Sequence, residues 1–212
     1  SRGKEVAVLI PSQEVSGTFF EETAPDGLRI FKIPKIDRRW SFFEELQNPV
    51  TVEKHLDMVK EILRRFEPDV IHVNDYVDMP VLIFEAFAAS KAIIVREIWN
   101  DEEICFRVSP IIEETHEVCS GPESFQECSA CYSKSISVEM PDLQQKLESH
   151  WRYIEHIYAS KINGAIFASP MFRSHFNQFI SIPDEKIATI ACGLQRPSSK
   201  IAFPLRPRES VT

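Results

Sequence analysis

Short runs of consecutive apolar residues alternate along the chain with longer amphipathic stretches. The clearest run lies in residues 68–76 (PDVIHVNDY), where Val70, Ile71 and Val73 form the continuous β-branched pattern typical of a parallel strand buried on both faces. An apolar stripe at three- and four-residue steps precedes this strand and predicts a helix; it consists of Val52, Leu56, Val59, Ile62, Leu63 and Phe66. Thr51 is the candidate N-cap of that helix.

The residues after this strand predict a second helix. Asp78 is a candidate N-cap, and Pro80 suits a first helical turn. The apolar segment that follows (VLIFEAFAA) predicts a buried helix. Helix, strand, loop and helix form the unit of a doubly wound sheet. Residues 74–78 would then lie at the carboxyl end of the strand, where open α/β sheets bind ligands.

The same criteria predict further strands and helices on both sides of this unit. Strands are predicted at residues 6–10, 28–33, 92–95, 164–168 and 186–190, and an amphipathic helix at 143–158. Ser169 and Pro170 predict the start of another helix. Residues 12–27 are polar and rich in turn residues, which predicts a loop at the binding edge, and residues 37–49 fit either a short helix or an aromatic-rich loop. The pattern as a whole predicts a Rossmann-like, three-layer αβα domain with a mostly parallel sheet.

Residues 102–140 show neither a helical nor a strand period. At about 39 residues, this stretch is several times longer than the usual connection between elements. We therefore expect a long irregular excursion that something other than an apolar core keeps ordered. Residues 196–212, with prolines among Ser and Arg, are typical of a linker.

Composition and charge narrow the class of protein. The net charge of −8 and the pI near 5.3 argue against nucleic acid as a partner, because affinity for phosphate backbones depends on clustered Lys and Arg. No run of about 20 apolar residues predicts a membrane-spanning helix, and the first residues do not resemble a signal peptide. These features predict a cytoplasmic protein.

Four of the five cysteines lie between positions 105 and 131. Cys128 and Cys131 have the C-x-x-C spacing that lets two thiolates share one tetrahedral ion, and Cys119 and Cys105 would complete a zinc site. His116 is an alternative ligand. Reduced free cysteines, a disulfide and an iron–sulfur cluster are the other possibilities that the spacing leaves open.

Six segments, taken together and in order, resemble the N-terminal domain of group 1 glycosyltransferases, the family 4 enzymes with the two-domain GT-B fold. The segments are RGKEVAVLI, PDVIHVNDY, AIIVREIWNDEEIC, CSGPESFQECSAC, SKINGAIFASPMFRSHF and DEKIATIACGLQ. They cover about residues 2–195. The resemblance implies that residues 1–195 form the acceptor-side domain without its first strand, and that 196–212 lead toward an absent C-terminal domain.

The resemblance also implies a function. The family transfers a sugar from a nucleotide-sugar donor to a carbohydrate or lipid-linked acceptor, and the donor is bound mainly by the second domain. The fragment alone is therefore expected to be inactive. Peripheral membrane association of the full enzyme is compatible with the resemblance. A homodimer would form if the sheet edge left by the missing first strand paired with another chain.

Polar side chains at two strand ends are the expected acceptor-binding residues. They are Asp75 and Tyr76 after the first strand, and Glu97, Trp99, Asn100 and Asp101 after the next. Carboxylates accept hydrogen bonds from sugar hydroxyls, and an indole stacks on a pyranose face. The alternative interpretation is solvated charges beside an anchoring aromatic. His72, inside its strand, is expected to be a core residue, and the histidine that many members use in catalysis has no counterpart here.

Two other functions fit the pattern. One is half of a nucleotide-sugar 2-epimerase, which shares the architecture. The other is a non-enzymatic, zinc-ordered interaction module on a Rossmann-like scaffold. Sugar transfer to a second substrate would separate a glycosyltransferase from the epimerase. A full gene that ends near Thr212 without a second domain would favour the interaction module.

Overall fold

The computed structural model describes residues 4–36, 49–76, 78–107, 110–112, 116–119, 121, 124–136 and 140–191. The strands within these ranges are β1 (Ala7–Ser12), β2 (Phe20–Thr23), β3 (Arg29–Pro34), β4 (Val70–Val73), β5 (Ile93–Ile98), β6 (Gly164–Phe167) and β7 (Ile187–Thr189). The helices are α1 (Pro49–Phe66), α2 (Ile83–Ala89), α3 (Phe125–Ile136), α4 (Leu143–His156) and α5 (Pro170–Phe176). A π-helical turn, Ile157–Lys161, extends α4, and a 3₁₀ turn, Asp184–Lys186, precedes β7.

The strands form two sheets. One is fully parallel with the order β4-β5-β6-β7, and its register pairs Val73 with Arg96 and Ile98 with Phe167. In the other, β1 pairs parallel with β3 and β2 pairs antiparallel with β3. The prediction of an α/β fold with a mostly parallel sheet is confirmed.

The carboxyl ends of β3 and β4 meet at one edge. The Ile36 N–H donates to the Asp78 carbonyl oxygen over 3.0 Å, and the Lys35 Nζ lies 3.2 Å from an Asp78 carboxylate oxygen. Strands β3 and β4 thus run in the same direction. Since β1 is parallel to β3, strands β1 and β4 also run in the same direction. A groove of about 600 Å³ lies between them, lined by residues of both strands.

The core lies on one face of the two sheets. Alternate strand residues join α1, α2 and α4 in a single apolar cluster, including Phe31, Ile33, Val59, Ile62, Val73, Ile83, Ile94, Ile98, Ile154, Ala165 and Phe167. On the opposite face Val8, Ile10, Val70 and Ile93 are 37%, 36%, 53% and 53% exposed. The expectation that β1 and β4 are buried on both faces is therefore wrong, since the described helices do not cover that face.

Several element boundaries differ from the sequence pattern. Helix α1 begins at Pro49, ahead of Thr51, and α2 begins at Ile83 without a side-chain cap, five residues after Asp78, which pairs with Lys35. Strand β1 continues through Pro11, and β2 lies within the predicted 12–27 loop. Residues 37–48 lie outside the described part of the chain.

The start of α5 follows the prediction. Ser169 is its N-cap, and the Ser169 Oγ accepts a hydrogen bond from the Phe172 N–H over 3.1 Å. Pro170 occupies the first helical turn, where its missing N–H costs nothing.

The excursion is not irregular throughout. It contains α3, which packs on α4 around a small second core of Tyr132, Met140, Leu143 and Leu147. None of the described helices is long and apolar enough to cross a membrane.

Candidate functional site

Polar residues from β4 and β5 meet at the carboxyl edge of the parallel sheet. Asn74 follows β4 directly and Trp99 follows β5. The Trp99 Nε1–H donates to the Asn74 Oδ1 over 2.9 Å, although the indole remains 45% exposed. One edge of the ring is thus fixed while much of its surface is available for stacking.

Asp101 is held by a tight turn beside Trp99. Its carbonyl oxygen accepts hydrogen bonds from the N–H groups of Ile104 and Cys105, over 3.0 and 2.8 Å. The Asn100 Oδ1 accepts from the Glu102 N–H over 3.1 Å and stabilises the same turn. Asn100 therefore has a structural partner, whereas the Asp101 carboxylate is directed elsewhere.

The Asp101 carboxylate faces a histidine that sequence reasoning left out of the site. The Oδ1 atom of Asp101 is buried, and the His175 Nε2 on α5 lies 3.5 Å from it. The His175 imidazole is one-third exposed. A carboxylate next to an accessible imidazole can hold or move a proton, which makes this pair the most chemically capable one at the edge.

Asp75 lies at the carboxyl mouth of the groove between β1 and β4, whose lining also includes Asn74. Its side chain is exposed. This position agrees with its predicted place at the sheet edge.

Tyr76 has a different environment from the one expected. Its ring is 8% exposed, packs edge-on against Phe84 at 5.4 Å and lies beneath the Arg96 guanidinium at 5.1 Å. Burial raises the pKa of its hydroxyl well above the ordinary range. The tyrosine is a core residue, although part of it also lines the groove between β1 and β4.

Glu97 is the last but one residue of β5 and not part of a loop. Its Oε2 lies 3.0 Å from the Nε2 of His72, whose side chain is half exposed. The expectation that His72 is a core residue is therefore wrong, because alternate positions of β4 face the uncovered side of the sheet. The two side chains pair on that face, apart from Trp99 and Asp101 at the edge.

A network of buried charged side chains packs next to the carboxyl edge of the parallel sheet. Arg96 is 1% exposed, and its Nε donates to the Glu103 Oε1 over 2.9 Å. Its Nη1 donates to the Asn74 carbonyl over 2.7 Å, and its Nη2 also pairs with Glu102. The Tyr158 hydroxyl donates to the same Glu103 oxygen over 2.8 Å.

This network ties the end of β4 to β5 and to the turn after α4. Burial alone would lower the pKa of Arg96, but the Glu103 and Glu102 carboxylates hold it above the ordinary value. Sequence reasoning missed the network. Its only signal was an arginine inside an apolar strand, with two consecutive glutamates a few residues later.

The four clustered cysteines line one cavity of about 510 Å³, together with His175 and Phe179. The four cysteines form no disulfide with one another. Burial, together with the charges that Cys119, Cys105 and Cys131 would carry, raises the pKa of Cys128 to about 11. His116, the alternative ligand, is exposed and does not line this cavity.

No protein-family model matches the chain, and no curated protein matches its sequence.

Proposed function

We propose that the chain is the acceptor-side, N-terminal domain of a family 4 glycosyltransferase, which moves a sugar from a nucleotide-sugar donor to a carbohydrate or lipid-linked acceptor. The observation that carries this proposal is the carboxyl edge of the parallel sheet. There an anchored, half-exposed indole lies beside an Asp–His pair, and Asn74 and Asp75 follow the neighbouring strand. An aromatic face and carboxylates within one edge are the groups that recognise a pyranose.

Each side chain at the edge has a distinct role in this proposal. Trp99 stacks on the acceptor sugar, and Asp75 accepts hydrogen bonds from its hydroxyl groups. The Asp101 carboxylate, backed by His175, receives the proton of the attacking hydroxyl. Cations and helix N-termini that would neutralise the departing nucleoside diphosphate belong, by the resemblance, to the C-terminal domain of that family. The chain alone should therefore bind an acceptor weakly and transfer nothing.

The groove between β1 and β4 supports the three-layer architecture of this family. Among the described residues neither strand has a partner on the side that faces the groove. The connections from β4 to β5 and from β5 to β6 run one way across the sheet, with their helices on the core face. Connections between parallel strands are right-handed. A connection that runs across the sheet in the opposite direction therefore places its helix on the face opposite the core.

A strand in the groove, followed by a helix and then by β1, would place that helix over Val8 and Ile10. These are residues of the uncovered face. The resembled family has such a strand ahead of the segment that matches β1. The groove and the bare apolar face therefore agree with one missing strand–helix unit and with a third layer.

Acceptor binding is tested by saturation-transfer NMR with methyl glucoside, methyl mannoside, methyl galactoside and methyl N-acetylglucosaminide. We expect transfer to the ring protons of at least one glycoside, and a loss of affinity of about fivefold in Trp99→Ala, since an aromatic contact contributes about 1 kcal/mol. Phe20→Ala removes an equally exposed aromatic from β2 and should change nothing.

Two results would overturn the proposal. One is no saturation transfer from the chain to any of the four glycosides. The other is turnover of UDP-glucose, UDP-N-acetylglucosamine or GDP-mannose by this chain alone, which would place the donor site inside it.

A further inference from the structure

We propose that Cys105, Cys119, Cys128 and Cys131 bind one structural zinc ion in the cavity beside the candidate acceptor edge. The site does not depend on the proposed glycosyltransferase activity. It is carried by the convergence of four thiols from three separate segments on one cavity.

A defined local structure holds the cysteines of each segment in place. Cys128 and Cys131 are three residues apart on α3, so they lie on neighbouring positions of one helical face. The Cys105 N–H donates to the Asp101 carbonyl over 2.8 Å, which closes the turn that carries it. Cys119 follows the antiparallel bridge between Ile111 and Val118.

The surroundings suit a thiolate–metal centre. A zinc ion with four thiolates carries a net charge of −2, which needs nearby cations. The Arg107 Nη1 lies 3.5 Å from the Cys131 Sγ, and Lys134 lines the same cavity. Both side chains would donate hydrogen bonds to the sulfurs or offset their negative charge, as the groups that surround the ligands do in structural zinc sites.

The segment also needs a source of order beyond apolar burial. Among the described residues, the second core that it forms with α4 contains four buried side chains, and Cys128 is partly buried beside them. In such a core-poor region, the free energy of metal binding contributes directly to folding. The described side chains do not yet include three ligands in metal-binding geometry, so the thiols must turn into the cavity to close on the ion.

Binding is a simple exchange. Each thiol loses its proton to solvent as its sulfur bonds to Zn²⁺, and no electron is transferred. Because Cys105 closes the turn of Asp101, and His175 lines the same cavity, the ion would fix the wall that carries the Asp101–His175 pair.

The test begins with the intact chain, purified under reducing conditions without added metal and then dialysed against excess Zn²⁺. Elemental analysis should give about one zinc per chain, as a closed four-thiolate site requires. Substitution by Co²⁺ should produce the intense visible bands and the sulfur-to-cobalt charge transfer of a tetrahedral thiolate site.

The double variant Cys128→Ser/Cys131→Ser should reduce the zinc content to background. Cys192→Ser changes the fifth cysteine and is the matched control, which should keep a full equivalent. His175→Ala should also keep the metal, since all four ligands are sulfur.

Several outcomes would overturn the proposal. They are a stoichiometry near zero with all four thiols reactive, a cobalt spectrum without charge transfer from sulfur, or metal retained by the double variant. A brown protein with iron and sulfide before any metal is added would assign the cysteines to a cluster instead. The cobalt spectrum of the unmodified chain decides the question even if the double variant fails to fold.

Discussion

Arg96 is the residue on which the local structure of the candidate edge depends most. We expect Arg96→Met to lower the free energy of unfolding by about 3–5 kcal/mol, because it leaves two carboxylates buried without their cation. Urea denaturation of the chain measures this change. Arg64→Met is the control, since Arg64 is 70% exposed in its pair with Glu61, and should cost less than about 0.5 kcal/mol. Equal costs for the two variants would contradict a buried network.

His150 gives the chain a pH-dependent stability. Its ring packs against Phe106 with centroids 5.9 Å apart, and loss of hydration lowers its pKa to about 4, against an ordinary value of about 6.5. The unfolded chain therefore takes up a proton more readily, and this contribution to stability is full above about pH 6.5 and is lost as the pH falls toward 4.

We expect the loss over that interval to be about 1–2 kcal/mol, because the ring is only partly buried. The measurement is urea denaturation at pH 4.5, 5.5 and 7 for the chain and for His150→Gln, whose stability should depend less on pH. His156→Gln replaces an exposed histidine of the same helix and should keep the original slope. An unchanged slope in His150→Gln would show that the ring titrates normally.

Gly121 couples two elements, the cysteine-containing excursion and the segment after α5. Its φ of +108° is unfavourable for other residues, and a Cβ there would lie 1.9 Å from the Phe179 ring. We expect Gly121→Ala to destabilise the protein by more than the roughly 1 kcal/mol of backbone strain alone. Gly17→Ala is the control, with a φ of +86° and no atom near its Cβ.

Urea denaturation and the rate of thiol labelling of Cys119 measure the two consequences. In Gly121→Ala, the strain and the clash together should lower the free energy of unfolding by more than Gly17→Ala does. They should also speed the labelling of Cys119, because Cys119 lies two residues from Gly121. Equal stabilities for the two variants would show that Phe179 moves aside without cost.

Elements with a strong hydrophobic period could be predicted, and elements ordered by other forces could not. Helix α4 and the parallel strands follow their apolar patterns because burial alone decides them. Helix α3 was missed because Tyr132 is its main buried contact, and β5 is longer than predicted because salt bridges allow Arg96 inside the core. Helix α2 begins at Ile83, five residues after Asp78, whose carboxylate pairs with Lys35.

The same distinction holds for the candidate site. Trp99 and Asp101 were predicted correctly to lie at the sheet edge, because the ends of parallel strands meet there. His175 was missed, since its partner Asp101 is far away along the chain and only the packing of α5 brings them together. Tyr76 was assigned to the cleft from position alone, but its ring turns into the core.

At the scale of the whole molecule, the sheet face that the described helices leave uncovered dominates the behaviour expected in solution. Parallel sheets are ordinarily covered on both faces, and a contiguous apolar surface promotes association. We expect this chain to bind a hydrophobic fluorescent dye and to self-associate with rising concentration in sedimentation experiments.

Lysine substitutions at Val8 and Val70 should reduce both effects. The two side chains are 37% and 53% exposed, so the charges can reach water, and the free energy of unfolding should change by less than about 1 kcal/mol. Leu147→Lys is the contrasting control, because Leu147 is fully buried and a charge there should unfold the chain. In any longer polypeptide that covers this face, the same two lysines would be buried and would cost several kcal/mol. Dye binding that is weak in the unmodified chain, or unchanged by the lysines, would show that the face is already protected in solution.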